Sequence, residues 1–391
     1  MTLRKVLHNL GGILFGVLVA LLLSELALRA VPQFMPPAAQ IRHRAASDVK
    51  VDSEVWLPDP YLGYKLPPGL DTLLEAFPEK PYRVRTTSLG YADIGFRSAE
   101  RNGKPIAALL GDSFTLAEGV SFEDSWSALL AERTGWNVLN FGLNGYGPPQ
   151  YTRMLERYVL PLKPGLVVWV FCPNDLGNAY DFHRAIEEGR GALGYRSRVS
   201  KTGPARVFED LWTALRDRSY AADSLSFVVK ALKHGGPITV DTGSVKFATQ
   251  WDYWRSNIAL DDKRIRKGWE WTRQDLLEAR DAARNAGAEF VVVIIPFREQ
   301  VYWDLLKDKL PEWDKANPDG PGDLVRTFCK DNGIRVLDLA PAFRERARPG
   351  RQLYFYGDGH WNPEGNQFAA ETIAEFLEAE GLRPAAAGQM R

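Results

Sequence analysis

The sequence predicts an α/β fold in which a parallel sheet is flanked by helices. Three apolar runs of strand length, residues 106–110, 137–141 and 166–171, alternate with stretches of helical periodicity. This alternation is typical of βαβ units. Residues 289–295, a largely apolar segment, supply a fourth strand, and residues 333–338 supply a fifth. Because parallel strands end at one edge of a sheet, the loops that follow them are expected to lie together and to hold the ligand site.

The first three of these loops carry residues suited to acyl transfer. The first strand ends in a Gly-Asp-Ser113 turn, the second leads into a loop that opens with Gly142, and the third ends in Cys-Pro-Asn174. A serine hydroxyl is a weak nucleophile that needs a base, and the tetrahedral intermediate needs hydrogen-bond donors. The backbone amides of Ser113 and Gly142 and the side-chain amide of Asn174 are candidate donors. Ordinary turn and loop residues are the alternative interpretation of all three.

The distribution of histidines leaves one candidate base. His360 lies in a glycine-bounded polar loop, just before a predicted final helix over residues 363–380. Asp358, two residues earlier, is a candidate for the carboxylate that orients it. Base and nucleophile then come from opposite ends of the domain, as triads defined by geometry allow. The other histidines lie in the N-terminal segment or far from any predicted strand end: His8, His43, His183 and His234.

A long segment interrupts the predicted sheet. Residues 177–264 form a mainly helical, tryptophan-rich insertion in a domain that spans residues 101–383, and a crossover helix over residues 265–286 returns the chain to the sheet. The insertion is a candidate cap over the Ser113 edge. Its tryptophans are expected to serve packing, with stacking on a sugar as the alternative. Residues 384–391 are predicted to be a disordered tail.

The N-terminal segment, residues 1–35, is predicted to be a membrane anchor. Arg4 and Lys5 precede residues 10–28, which are apolar except for Ser24 and Glu25 and approach the roughly 20 residues that a bilayer requires. A cleaved signal peptide is the competing interpretation. Both interpretations place the rest of the chain outside the cytoplasm, in the periplasm or at the cell surface.

Residues 36–100 are predicted to form a proline-containing stalk and an irregular lead-in. A short hairpin is expected over residues 84–97, as a surface element of the main domain. Arg85 or Arg97 of this hairpin is a candidate for the rim of the active site.

Composition excludes several functional classes. The 391-residue chain has a formal net charge of zero, which gives no reason to expect nucleic acid as a partner. Its two cysteines, Cys172 and Cys329, make neither a disulfide framework nor a metal cluster and are expected to be buried thiols. No metal or cofactor is expected.

These motifs resemble the sequence blocks of the SGNH or GDSL hydrolase superfamily. Gly111-Asp112-Ser113 resembles the first block, Asn140-Phe-Gly142 the glycine block, Asn174-Asp175 the asparagine block and His360 the histidine block. Their order and the intervening strands match over about residues 104–380. The resemblance implies a three-layer α/β/α sandwich with a five-stranded parallel sheet. It also implies Ser113 as nucleophile, His360 as base, and an oxyanion hole made by the Ser113 and Gly142 amides and Asn174.

The chain departs from the superfamily pattern at the acid. Gly357 occupies the usual position, three residues before the histidine, and Asp358 lies two before it. This spacing is similar to the Asp-x-His-Trp pattern of polysaccharide O-acetyltransferase-like relatives. The predicted function is an ester hydrolase that removes an acetyl group from a carbohydrate or envelope polymer through an acyl-serine. The alternatives are an O-acetyltransferase of an exported polysaccharide and a non-catalytic glycan-binding protein.

Overall fold

The computed structural model describes residues 3–34, 49–50, 55–74, 81–88, 95–98, 104–195, 211–212, 215, 219–234, 238–310, 316–348 and 350–384. The chain divides into two compact units. The first comprises residues 1–47 and 200–236, and the second residues 48–199 and 237–391. The predicted stalk over residues 36–48 and the predicted tail after Pro384 lie outside the described residues.

The strands are β1 (Val49–Lys50), β2 (Leu57–Asp59), β3 (Gly63–Lys65), β4 (Asp71–Leu74), β5 (Tyr82–Arg85), β6 (Thr87–Ser88), β7 (Gly95–Ser98), β8 (Ile106–Leu110), β9 (Asn137–Asn140), β10 (Leu166–Phe171), β11 (Ile238–Asp241), β12 (Lys246–Thr249), β13 (Glu289–Ile294) and β14 (Arg335–Asp338). The α-helices are α1 (Leu3–Ala30), α2 (Ser113–Leu116), α3 (Trp126–Thr134), α4 (Pro148–Met154), α5 (Asp175–Glu187), α6 (Tyr220–His234), α7 (Trp251–Ile258), α8 (Lys263–Asn285), α9 (Arg298–Val301), α10 (Trp303–Leu306), α11 (Gly320–Asp331), α12 (Ala340–Ala347) and α13 (Pro363–Ala379).

The second unit is built on a sheet with the strand order β14-β13-β10-β8-β9-β7-β6. Its first five strands are parallel to one another, as the sequence predicts. Every residue of the central strand β10 is buried, because helices cover both faces of a parallel sheet. Alternate side chains of the strands therefore enter two separate hydrophobic clusters.

Helices on both faces complete the predicted α/β/α sandwich. One cluster packs the sheet against α4, α8 and α11, and the other packs it against α3, α7, α12 and α13. Ser125 begins α3 by accepting a hydrogen bond from the Ala128 amide. Asn362 begins α13 in the same way through the Gly365 amide, with Pro363 in the first turn. Such caps satisfy amides that have no partner within the helix.

The lead-in contributes to the central sheet, whereas the sequence predicts it to be surface structure. β7 pairs antiparallel with β9, and β6 pairs with β7, so the sheet has seven strands rather than five. Arg97 on β7 is fully buried, and its guanidinium donates to the carbonyls of Leu116, Ala117 and Val120. It therefore stabilises the turn after α2 and does not line a rim. Arg85 is exposed and pairs with Asp71.

The first unit contains α1 and α6. The Glu25 carboxylate on α1 accepts hydrogen bonds from the Ser219 hydroxyl at 2.8 Å and the Ala221 amide at 3.0 Å, and Arg29 lies over the Tyr220 ring. None of the helices within the described residues combines the length and the apolar character needed to cross a membrane. The predicted membrane anchor over residues 10–28 is thus not confirmed.

Candidate active site

The turn that carries Ser113 lies where strand β8 ends. Asp112 caps α2, because its side chain accepts a hydrogen bond from the Phe114 amide at 3.0 Å, and Ser113 is the first residue of that helix. A Cβ atom on Gly111 would lie 1.9 Å from Thr115 Oγ1, so only glycine fits this turn. These contacts hold the Ser113 hydroxyl, half-buried, at the carboxyl edge of the sheet.

Ser113, His360 and Asp358 form one chain of hydrogen bonds. The Ser113 Oγ atom lies 2.6 Å from His360 Nε2, within the range expected for a nucleophile and its base. On the other side of the ring, Nδ1 is hydrogen-bonded to Asp358 Oδ1. The same oxygen accepts the His360 backbone amide at 2.7 Å. An aspartate two residues before the histidine therefore reaches the ring by folding back in an Asx turn.

A second carboxylate, which the sequence analysis missed, lies near the same ring. Glu118 Oε2 is 3.6 Å from His360 Nε2 and accepts a hydrogen bond from Asn144 Nδ2 at 2.7 Å. Burial by itself would lower the pKa of His360, but the charges of Asp358 and Glu118 outweigh this and raise the pKa above its usual value. Burial would raise the pKa of Asp358, and the neighbouring imidazole more than offsets this, so that pKa is lowered.

The candidate oxyanion donors are placed unequally. Asn174 lines the cavity beside Ser113, and its Nδ2 atom donates to Asp112 Oδ2 at 3.0 Å, which leaves the second N–H of the same amide for a ligand. Among the described residues, the Ser113 amide has no hydrogen-bond partner. Asp175 accepts from Tyr151 and the Cys172 amide and thus fixes the Asn174 loop.

Gly142 is not brought to the cavity. Its amide donates to the Asn140 side chain at 3.0 Å, and the residue is absent from the cavity lining. A Cβ atom there would lie 2.5 Å from the Leu116 nitrogen, so the glycine serves close packing against the turn after Ser113. Gly145 is a second glycine of the same loop, with φ of +68°. It is partly exposed and, within the described residues, its amide has no partner.

Arg298 ties the loop that carries His360 to the sheet, and the sequence analysis did not single it out. Its Nη1 atom donates to the carbonyls of Phe355, Tyr356 and Asp358 at 3.1, 3.2 and 2.8 Å. Its Nη2 atom donates to the Ala248 carbonyl at 2.8 Å. The sequence held one signal for this residue: Arg298 is a charged residue that comes directly after a buried strand and the pair Pro296-Phe297.

These residues surround a cavity of about 310 Å³, near the lower end of the range of roughly 300–1,000 Å³ for ligand pockets. Its walls come from the turn of α2, the start of α5, the end of β12 with α7, the start of α9 and the loop of residues 357–360. The lining residues are Asp112, Ser113, Phe114, Asn174, Ala248, Thr249, Gln250, Tyr253, Trp254, Phe297, Arg298, Glu299, Gly357, Asp358, Gly359 and His360.

Glu118, Asp358 and His360 also present ligand atoms within 4.8 Å of one another, the arrangement of a possible metal site. Both ring nitrogens of His360, however, are engaged with Ser113 and Asp358. A metal on Nε2 would displace the Ser113 hydroxyl. The cluster is better suited to proton transfer than to metal binding. Cys172 and Cys329 are buried free thiols, as expected.

Comparison with known proteins finds a family model that matches the C-terminal part of the chain. Residues 249–391 match the family model described as the SGNH hydrolase-like domain of acetyltransferase AlgX. That segment holds the Asp358–His360 loop, while Ser113 and Asn174 complete the same site from the preceding part of the chain. Over those residues the chain is similar to the SGNH hydrolase superfamily.

Two curated proteins that this chain resembles come from Pseudomonas putida. The alginate biosynthesis protein AlgX is 32% identical over 106 residues, which are 26% of this chain and 22% of AlgX. The probable alginate O-acetylase AlgJ is 26% identical over 103 residues, 26% of each chain. The matched segment thus spans about a quarter of each relative's length. A solved structure of a catalytic mutant of Axe2, an acetylxylan esterase from Geobacillus stearothermophilus, is 12% identical with a TM-score of 0.36, covering 71% of this chain and 94% of that one.

Proposed function

We propose that this protein transfers an acetyl group to a hydroxyl of a polysaccharide through an acetyl-serine intermediate. The observation that carries the proposal is the continuous hydrogen-bonded chain from Ser113 through His360 to Asp358. This arrangement serves acyl transfer, since it couples a nucleophile to a base and the base to a carboxylate. The similarity of residues 249–391 to the AlgX acetyltransferase model favours a sugar hydroxyl over water as acceptor.

In the first half-reaction, the Ser113 oxygen attacks the carbonyl carbon of the acetyl donor while His360 Nε2 takes the hydroxyl proton. Asn174 Nδ2 and the Ser113 amide would donate to the oxyanion. When the C–O bond to the donor breaks, His360 returns the proton to the leaving oxygen. Asp358 stays ionised and stabilises the imidazolium.

In the second half-reaction, His360 removes a proton from the acceptor hydroxyl, whose oxygen attacks the acetyl-serine carbonyl. The bond to Ser113 then breaks and the serine oxygen recovers the proton. Water in place of the sugar would make the same site an ester hydrolase, which is the second candidate function. The two differ only in the acceptor, because the triad geometry serves both.

The experiment supplies 4-nitrophenyl acetate as donor and neutral or acidic oligosaccharides as acceptors. Transfer predicts an acetylated oligosaccharide by mass spectrometry and faster nitrophenol release when acceptor is present. Release of free acetate alone, at a rate independent of the acceptor concentration, would show that the protein is an ester hydrolase. Loss of both reactions in Ser113→Ala is expected in either case, and their persistence would exclude the acyl-serine.

We also propose that the enzyme acts outside the cytoplasm. The support is the basic start and apolar run of residues 1–35, which favour export whether or not the segment is cleaved. A fusion of alkaline phosphatase to the C-terminus tests this, since that reporter is active only after export. A full-length fusion that accumulates in the cells without phosphatase activity would contradict it.

A further inference from the structure

One wall of the cavity is not used by the triad. It consists of residues 248–254, where β12 ends and α7 begins, within the segment that the sequence predicts as an insertion. These residues line the same cavity as Ser113 and His360, and they are Ala248, Thr249, Gln250, Tyr253 and Trp254. We call them the α7 wall.

Tyr253 is the aromatic residue of the cavity lining that is exposed. It is 61% exposed, whereas Phe114, Trp254 and Phe297 are at most 7% exposed. Trp254 packs between Trp251 and Trp303, with ring centroids 5.0 and 5.5 Å away, and so anchors α7 to the core. An exposed tyrosine ring on a well-anchored helix offers an apolar face with a polar tip, which suits the mixed surface of a sugar.

Gln250 adds a neutral hydrogen-bonding group to the same wall of the cavity. It is exposed, directly precedes α7 and makes no capping hydrogen bond to that helix. Within the described part of the chain its carboxamide has no partner. A carboxamide both donates and accepts, which matches the hydroxyl groups of a carbohydrate.

The charged groups of the lining are already paired. Arg298 has a side chain only 4% exposed, and it is bound to Glu299 and to backbone carbonyls. Glu299 also accepts from the Thr249 hydroxyl at 2.6 Å. Among the described lining residues, none presents an exposed lysine or arginine charge. A uronate carboxylate would need such a cation, whereas a neutral sugar would not.

We infer that Tyr253 and Gln250 form a subsite for a neutral pyranose of the acceptor polysaccharide. The Tyr253 ring stacks on the apolar face of the sugar, and the Gln250 carboxamide bonds its hydroxyls. The subsite thereby holds one acceptor hydroxyl near Ser113 and His360. This inference rests on the proposed function for its role, but binding of the sugar can be measured without any chemistry.

The first test is calorimetric binding to the full-length Ser113→Ala protein. The probes are neutral pentaoses of xylose, glucose and mannose, with pentamannuronate as the acidic probe. We expect a neutral pentaose to bind better than pentamannuronate. Adding Tyr253→Ala should weaken binding about tenfold, Tyr253→Phe should retain it, and Gln250→Ala should weaken it several-fold. Arg255→Ala, exposed on the same helix but outside the lining, is the matched control.

The second test uses the active protein with 4-nitrophenyl acetate as donor. Tyr253→Ala should lower transfer to the neutral pentaose about tenfold more than it lowers acetylation of Ser113. Tyrosine-dependent binding without acetylation of the wild type would sink the proposed function and leave the subsite standing. Tighter binding of pentamannuronate, or no effect of Tyr253→Ala on any pentaose, would overturn the subsite and leave the acyl enzyme intact.

Discussion

The behaviour of His360 depends on the groups packed around its ring. Asp358 contacts Nδ1, Glu118 and Ser113 lie on the Nε2 side, and the Phe114 ring lies 4.8 Å away between centroids. Asp112 adds a smaller contribution that also raises the pKa of His360. Since only the neutral imidazole accepts the serine proton, the raised pKa moves activity toward higher pH.

Glu118→Gln tests this balance. Removing one carboxylate charge lowers the pKa of His360, so the neutral ring becomes available at lower pH. We expect the midpoint of the pH–rate profile for Ser113 acylation to move to lower pH, with little change in the plateau. Asp124→Asn is the control, because Asp124 is an exposed carboxylate only six residues after Glu118. A profile that stays in place, or moves to higher pH, would show that Glu118 does not act on His360.

Single residues could be predicted from the sequence where chemistry restricts the choice. Ser113 and Asn174 follow from residue type and position at strand ends, and Asp358 and His360 from the polar loop before the final helix. The structure brings all four to one cavity. Gly142 shows the limit. Glycines of one loop look alike in a sequence, and only the packing against the turn after Ser113 distinguishes a space-filling glycine from one with an accessible amide.

At the level of elements, the loop of residues 355–360 is held by Arg298. This residue donates to three carbonyls of the loop and to the Ala248 carbonyl of the α7 wall. A planar guanidinium presents several donors in fixed directions, which an ammonium group cannot reproduce. The orientation of Asp358 and His360 therefore depends on a side chain at the start of α9, the helix that follows β13.

Arg298→Lys should lower kcat by about tenfold to a hundredfold, since small displacements of catalytic groups are costly. The KM for an oligosaccharide acceptor should change less. Arg326→Lys is a matched control, because Arg326 pairs with Asp323 and Asp338 away from the loop. An unchanged kcat in Arg298→Lys would mean that the loop keeps its shape without the guanidinium.

Gly142→Ala tests the packing behind the nucleophile turn. The added methyl group would meet the Leu116 nitrogen at 2.5 Å, and such overpacking is expected to cost about 1–3 kcal/mol. Thermal unfolding should show a lower Tm than for Gly359→Ala, where no atom lies within 4 Å of the new methyl. Equal melting temperatures would contradict the close packing.

The sequence predicts a hairpin where β6 and β7 pair, but not the place of these strands in the main sheet. β6 and β7 have two and four residues, too few for alternation to identify them as part of the main sheet. Their place depends on pairing with β9, a contact between distant parts of the chain. The strands β8, β10 and β13 were the most predictable, because burial on both faces gives each a nearly continuous apolar run.

At the scale of the whole molecule, the second unit has its own core. Within the part of the chain that the structure describes, the two hydrophobic clusters contain no residue from 1–47 or 200–236. A chain that lacks residues 1–47 should therefore retain the main unfolding transition and the labelling of Ser113. Calorimetry and labelling rates check this. Loss of the folded sheet on removal of residues 1–47 would show that the second unit does not fold independently.

The central claim is that Ser113 is a nucleophile activated by His360. The most direct measurement is intact mass after reaction with a fluorophosphonate probe, for wild type, Ser113→Ala and His360→Ala at alkaline pH. We predict one adduct on the wild type, none on Ser113→Ala, and a rate reduced by at least about a hundredfold in His360→Ala. A folded wild type that takes no label, or a Ser113→Ala protein labelled as fast as the wild type, would contradict the account.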